Sequence, residues 1–133
     1  MAITLAWDEK FEVGHERIDF EHRIFLGLVR DLSQAVDATG ADSRFERILR
    51  EIFKYADFHF YSEENIMAEV GYPQLDGHRK LHEMLLAELT DRIHGFRDGR
   101  ETPEAIVEFL FQWFALHTTR EDKAIAEFVE SSR

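Results

Sequence analysis

At 133 residues, with 44% hydrophobic side chains, 12 phenylalanines and a net charge of −11, the chain is long enough for one buried core and too apolar for a disordered tail. The acidic balance argues against nucleic acid and membrane surfaces as partners, because both reward clustered Lys and Arg. The absence of cysteine excludes disulfides, thiolate ligands and iron–sulfur clusters.

The N-terminus has no basic start followed by an apolar run, so no secretory signal is read there and a cytoplasmic location is expected. Residues 1–17 read as an arm that Trp7 and Phe11 pin to the rest of the chain. A first helix is predicted over 18–37, with its inward stripe at Ile18, His22, Phe25, Val29 and Leu32. A second over 43–70 opens on a capping box, Ser43 with Glu46, and closes at Gly71-Tyr72-Pro73. A third is predicted over 74–96 and ends in a Gly-rich turn. A fourth over 103–130 has Thr102 as N-cap and Pro103 at its first position. Spacings of three and four persist throughout, no strand competes, and the connections are short. The expected fold is therefore all-α, a single-domain up-down-up-down four-helix bundle.

Five of the seven histidines fall on these inward stripes: His22, then His59 with Glu63, then His78 with His82, then His117 with Asp122. The pairs His59/Glu63 and His78/His82 are spaced i, i+4, which puts both members on one helix face. Counted from the shared turns, the ligand-type residues of all four helices reach one level of the bundle. Buried imidazoles and carboxylates are costly unless something pairs them, and a metal pairs all seven. His15 and His94 lie outside the pattern and are expected in solvent.

Seven ligands are too many for one tetrahedral zinc, and five imidazoles are wrong for calcium or magnesium. Imidazole with carboxylate suits iron, and manganese less well. Two ions bridged by both carboxylates and by an oxo or hydroxo oxygen would have eleven of their twelve octahedral positions filled. The remaining position could take one small molecule.

The series His22, His59-x-x-x-Glu63, His78-x-x-x-His82, His117-x-x-x-x-Asp122 resembles the ligand motif of the hemerythrins, the single-domain bacteriohemerythrins in particular. The opening Trp7-x-x-x-Phe11-x-Val13-Gly14-x-x-x-Ile18-Asp19-x-x-His22 and the segment His59-Phe-Tyr-Ser-Glu63-Glu64-x-x-Met67 resemble the same family. The resemblance implies a di-iron centre that binds dioxygen. On that mapping His78, His82 and His117 serve one iron, His22 and His59 serve the other, Glu63 and Asp122 bridge, and the open position is on the second iron.

An imidazole-rich ligand set donates less charge than the carboxylate sets of ferritin-like oxidases, which favours reversible capture over oxidation of a substrate. Phe25, Phe60, Trp113 and Phe114 are expected to form a dry wall that admits oxygen or nitric oxide and no organic substrate. His117 and Asp122 stand five apart, which a regular helix turns by about 140°, so a π-type widening is expected between them. Thr118 departs from the aliphatic residue common beside that ligand; its hydroxyl can bond the carbonyl of Phe114 or hold a water near the open position.

The function expected is reversible oxygen binding for storage, delivery or buffering, by a monomer with an oxygen-consuming enzyme as its candidate partner. The alternatives are an oxygen or redox sensor, or a di-iron enzyme such as a ferroxidase or a nitric oxide or peroxide scavenger.

Overall fold

In the computed structural model, residues 6–36 and 41–132 are described, without the side chains at positions 41, 42, 118 and 119. Helices α1 (Glu16–Val36), α2 (Ala41–Val70), α3 (Leu75–Arg97) and α4 (Pro103–His117) form the four-helix bundle, and a π-helical turn at Thr118–Asp122 leads into α5 (Lys123–Ser131). The seams α1/α2, α2/α3 and α1/α4 close at backbone level. Among the described residues there is no strand, and no helix is long and apolar enough to cross a membrane.

Local chemistry sets the helix ends. α1 opens at Glu16, ahead of the apolar stripe that begins at Ile18, because polar groups in the arm organise its first turn. Asp19 accepts from the backbone N–H of Val13 (2.8 Å) and Gly14 (3.2 Å), and His15 Nδ1 accepts from the N–H of Ile18 at 3.3 Å. His15 is thus half-buried and serves as a cap rather than standing in solvent. Gly14, at φ +93°, takes a left-handed conformation that few other residues adopt.

The capping box expected at Ser43 is absent, because α2 already begins at Ala41. Ser43 Oγ instead accepts from the Arg47 guanidinium at 2.9 Å, and Glu46 accepts from Arg97 at the far end of α3. The turn predicted between the first two helices lies outside the described residues. Gly71, at φ +68°, ends α2, and Thr102 caps α4 by accepting from the N–H of Ala105 at 3.1 Å.

Two apolar clusters fill the interior. The larger joins Phe25, Val29 and Leu32 of α1 to Leu49 and Ile52 of α2, Leu89 of α3 and Leu110 of α4. The smaller gathers Val13, Ile18, Met67, Tyr72, Ile125 and Ala126 at the other end. The arm is pinned as expected: Phe11 is buried edge-on against Phe114 at 5.1 Å, and Trp7 packs on Phe11 and under the Arg23 guanidinium. Along α1 the order is Ile18, His22, Phe25; along α2 it is Phe60, Glu63, Met67; along α4 and α5 it is Phe114, His117, Asp122, Ile125. A polar layer therefore separates two greasy ends.

Candidate metal centre

All seven residues of the series meet in that layer, and each is buried. α1 brings His22, α2 brings His59 and Glu63, α3 brings His78 and His82, and α4 ends on His117. Asp122 closes the five-residue π-helical turn, the widening expected from its spacing to His117. In that wider turn the fifth residue comes back close to the face of the first, so both side chains reach one centre.

Each carboxylate divides its two oxygens between two groups of imidazoles. Oε1 of Glu63 lies 3.4 Å from Nε2 of His78, 3.1 Å from that of His82 and 3.9 Å from that of His117. Oε2 lies 3.2 Å from Nε2 of His59 and 3.7 Å from that of His22. Asp122 repeats the division, with Oδ1 at 3.0 Å from His117 and 3.5 Å from His78, and Oδ2 at 2.8 Å from His22. Two ligand clusters result: His78, His82 and His117 with Glu63, and His22 and His59 with Glu63 and Asp122.

Nε2 of His59, His78, His82 and His117 and all four oxygens of Glu63 and Asp122 are buried without a hydrogen bond. Native interiors rarely leave one such atom unpaired, let alone eight converging on one place. Burial opposes charge on these imidazoles, but the carboxylates outweigh it. Glu63, with Glu21, holds His59 up at about 10; Asp122 and Glu63 hold His117 at about 10 and His78 at about 9. His22 is raised in the same way by Asp122 and Glu63. Burial would raise Glu63 and Asp122, yet the surrounding imidazoles hold both below the ordinary carboxylate range. Without a cation the layer must hold protons between its nitrogens and oxygens; a metal ion can take their place. The donor set, imidazole with carboxylate and no sulfur, fits a transition metal such as iron.

Two further carboxylates stand behind the ligands, and the sequence reading missed both. Oε1 of Glu21 lies 2.6 Å from Nδ1 of His59, and Oε2 accepts from Ser62 Oγ (2.9 Å) and Arg17 Nε (3.2 Å). Although burial works against it, the His59 partnership keeps Glu21 below its ordinary range. Oε2 of Glu64 lies 2.9 Å from Nδ1 of His82, and Arg79 approaches Oε1 at 3.5 Å. Each imidazole cluster thus contains one ring clamped from behind by a carboxylate, with an arginine behind that. Such outer carboxylates fix the ring and raise its basicity as a ligand.

A cavity of about 10 Å³ adjoins His22, His59 and His117, and its wall contains Phe25, Phe60, Trp113 and Phe114. Phe60 stacks on the His82 ring at 3.9 Å, Phe114 meets His22 edge-on at 5.6 Å, and Trp113 meets Phe25 edge-on at 5.1 Å. The space suits one water-sized molecule. His94 is exposed on α3 and takes no part, while the Thr118 side chain lies outside the described residues.

The chain matches the family model of the hemerythrin HHE cation binding domain over residues 13–129. It is similar to the bacteriohemerythrin of Stenotrophomonas maltophilia, 26% identical over 127 residues, which span 96% of this chain and 82% of that one. It is also similar to the myohemerythrin of Theromyzon tessulatum, 36% identical over 76 residues, 57% of this chain and 58% of that one. The crystal structure of a leucine-to-alanine hemerythrin variant superposes with a TM-score of 0.84 at 25% identity, covering 96% of this chain and 98% of that one.

Proposed function

The chain belongs to the hemerythrin family, and from that premise we propose that it binds dioxygen reversibly at a non-haem di-iron centre, for storage, delivery or buffering. His78, His82 and His117 would hold one iron, His22 and His59 would hold the other, and Glu63 and Asp122 would be shared. The observation that carries this reading is the division of both carboxylates' oxygens between a three-imidazole and a two-imidazole cluster. Two irons held there would supply the redox chemistry that reversible binding of dioxygen requires.

The chain's own residues favour capture over turnover. The small cavity adjoins His22 and His59 of the two-imidazole cluster and His117 of the other, and at about 10 Å³ within an aromatic wall it is too small for an organic substrate. Apart from the imidazoles, no carboxyl, hydroxyl or ammonium group lines it among the described residues. Glu21 and Glu64 hold the His59 and His82 rings in one orientation through loading and release.

The test is metal analysis followed by air and argon cycles of the visible spectrum. Two irons per chain and a band that appears and fades repeatedly support oxygen carriage. A stoichiometry near one, or zinc after expression with ample iron, overturns the dinuclear reading. A one-way spectral change with consumption of ferrous iron, peroxide or nitric oxide would make the protein an enzyme instead.

A further inference from the structure

All seven ligand-type residues are buried between two apolar clusters, so a cation has to reach them from the side of the bundle. The hollows that touch this layer differ in size and charge. The small aromatic cavity beside His22, His59 and His117, at about 10 Å³, has room for one water-sized molecule and none for a hydrated ion. A groove of about 570 Å³ between α3 and α4 touches His117, but its guanidiniums, Arg92 and Arg120, offset the carboxylates of Glu108 and Glu121. Another hollow, of about 320 Å³, opens where the start of α3 meets the π-helical turn. Its wall is Tyr72, Gln74, Gly77, His78, Leu81 and Glu121.

This last hollow suits a cation. Apart from His78, Glu121 is the one ionisable group other than a phenol in its wall among the described residues, and it is exposed beside ligand Asp122 in the chain. Tyr72 and Gln74 add neutral oxygens, the phenol donating to Gln74 Oε1 at 3.1 Å. Burial first, then the charges of Glu121 and Asp122, push that phenol above its ordinary range, as negative potential at this place requires. A carboxylate among neutral oxygens is the donor set that a hydrated divalent ion meets readily. At the inner end stands His78, whose Nε2 comes no nearer than 3.4 Å to a carboxylate oxygen of the layer. The other four imidazoles approach one more closely, His22 at 2.8 Å, His117 at 3.0 Å, His82 at 3.1 Å and His59 at 3.2 Å. The hollow therefore reaches the imidazole that the layer holds least closely.

We propose that this hollow is the port by which a hydrated divalent cation enters the buried layer. Glu121 captures the ion with water still bound to it, and His78 takes it inward to Glu63 and Asp122. The inference rests on the metal reading of the seven ligands and is independent of what the loaded centre does with oxygen. Gly77 keeps the port open. It stands in α3 with nothing within 4 Å of where a Cβ would lie, so a larger side chain fits there without a clash and fills the hollow.

The probe is Co(II), which gains visible bands on binding imidazole and carboxylate, mixed with metal-free full-length protein in a stopped-flow instrument at pH 7. Glu121→Gln should slow uptake by about tenfold and flatten its dependence on salt, because attraction at the mouth is electrostatic. Gly77→Leu should slow uptake further and slow release to a chelator by the same factor, since a plug raises one barrier in both directions. Both variants should still end with two cobalt ions per chain, and circular dichroism checks that each is folded. Glu108→Gln, in the groove between α3 and α4, should load at the parental rate. A parental uptake rate in either folded port variant overturns the proposal, as does equal slowing by Glu108→Gln. A parent chain that takes up no cobalt overturns the metal reading itself, so the two fail separately.

Discussion

Oε1 of Glu21 on α1 lies 2.6 Å from Nδ1 of His59 on α2, the shortest of the polar contacts behind the metal layer. It ties a residue on one helix to a ligand on its neighbour and turns Nε2 of that ligand toward Glu63, at 3.2 Å. Glu21→Gln keeps the size of the side chain and removes its charge. Iron should still bind, with affinity lower by about 10- to 100-fold in chelator competition. Glu64→Gln should act in the same direction through His82, and unchanged affinity in both variants would mean that neither carboxylate supports its ligand.

His82→Ala should lose iron and stability together. It takes from Glu63 Oε1 its nearest imidazole and from Glu64 Oε2 the imidazole it faces, and breaking such a buried network costs about 3–5 kcal/mol. Metal analysis and chemical denaturation read the two effects. His94→Ala, on an exposed position of the same helix, should change neither.

The metal-free protein should lose stability as pH rises from neutral. His59 and His117 are held up at about 10 and His78 at about 9, above the ordinary imidazole value of about 6.5. A raised pKa means that the fold binds the proton more tightly than the unfolded chain. Their contribution is therefore complete below about pH 6.5 and is lost as pH climbs through about 9 to 10. Glu63 and Asp122 are shifted the opposite way, so their contribution holds above the ordinary carboxylate range and is lost on acidification. Urea titrations of metal-free protein at pH 5.5, 7.5 and 9.5 should show falling stability across the series. Iron loading in lightly buffered solution at pH 7 should release protons, and a flat pH trace would contradict the exchange of protons for metal.

Asp19→Ala should free the N-terminal arm while leaving the ligands in place. Its carboxylate accepts the N–H groups of Val13 and Gly14, and charged hydrogen bonds of this kind contribute about 1.5–3 kcal/mol each. Limited trypsin digestion should cut at Lys10 sooner than in the parent chain, at unchanged iron content. Resistance equal to the parent would show that Phe11 against Phe114 holds the arm unaided.

The bundle and its polar layer were legible in the sequence because helix periodicity is a local property. His59/Glu63 and His78/His82 share a face by spacing alone, and short turns set neighbouring helices antiparallel, which equalises the heights of His22, His59, His82 and His117. Even the π-helical turn was readable, since five residues between two core-facing ligands do not fit a regular helix. What periodicity cannot supply is which face of one helix meets which face of another. Glu21 and Glu64 sit beside the apolar stripe, where a sequence places solvated charge, and only the packing of α1 on α2 and of α2 on α3 turns them onto His59 and His82. The capping of α1 by His15 and Asp19 and the displaced role of Ser43 depend likewise on backbone direction.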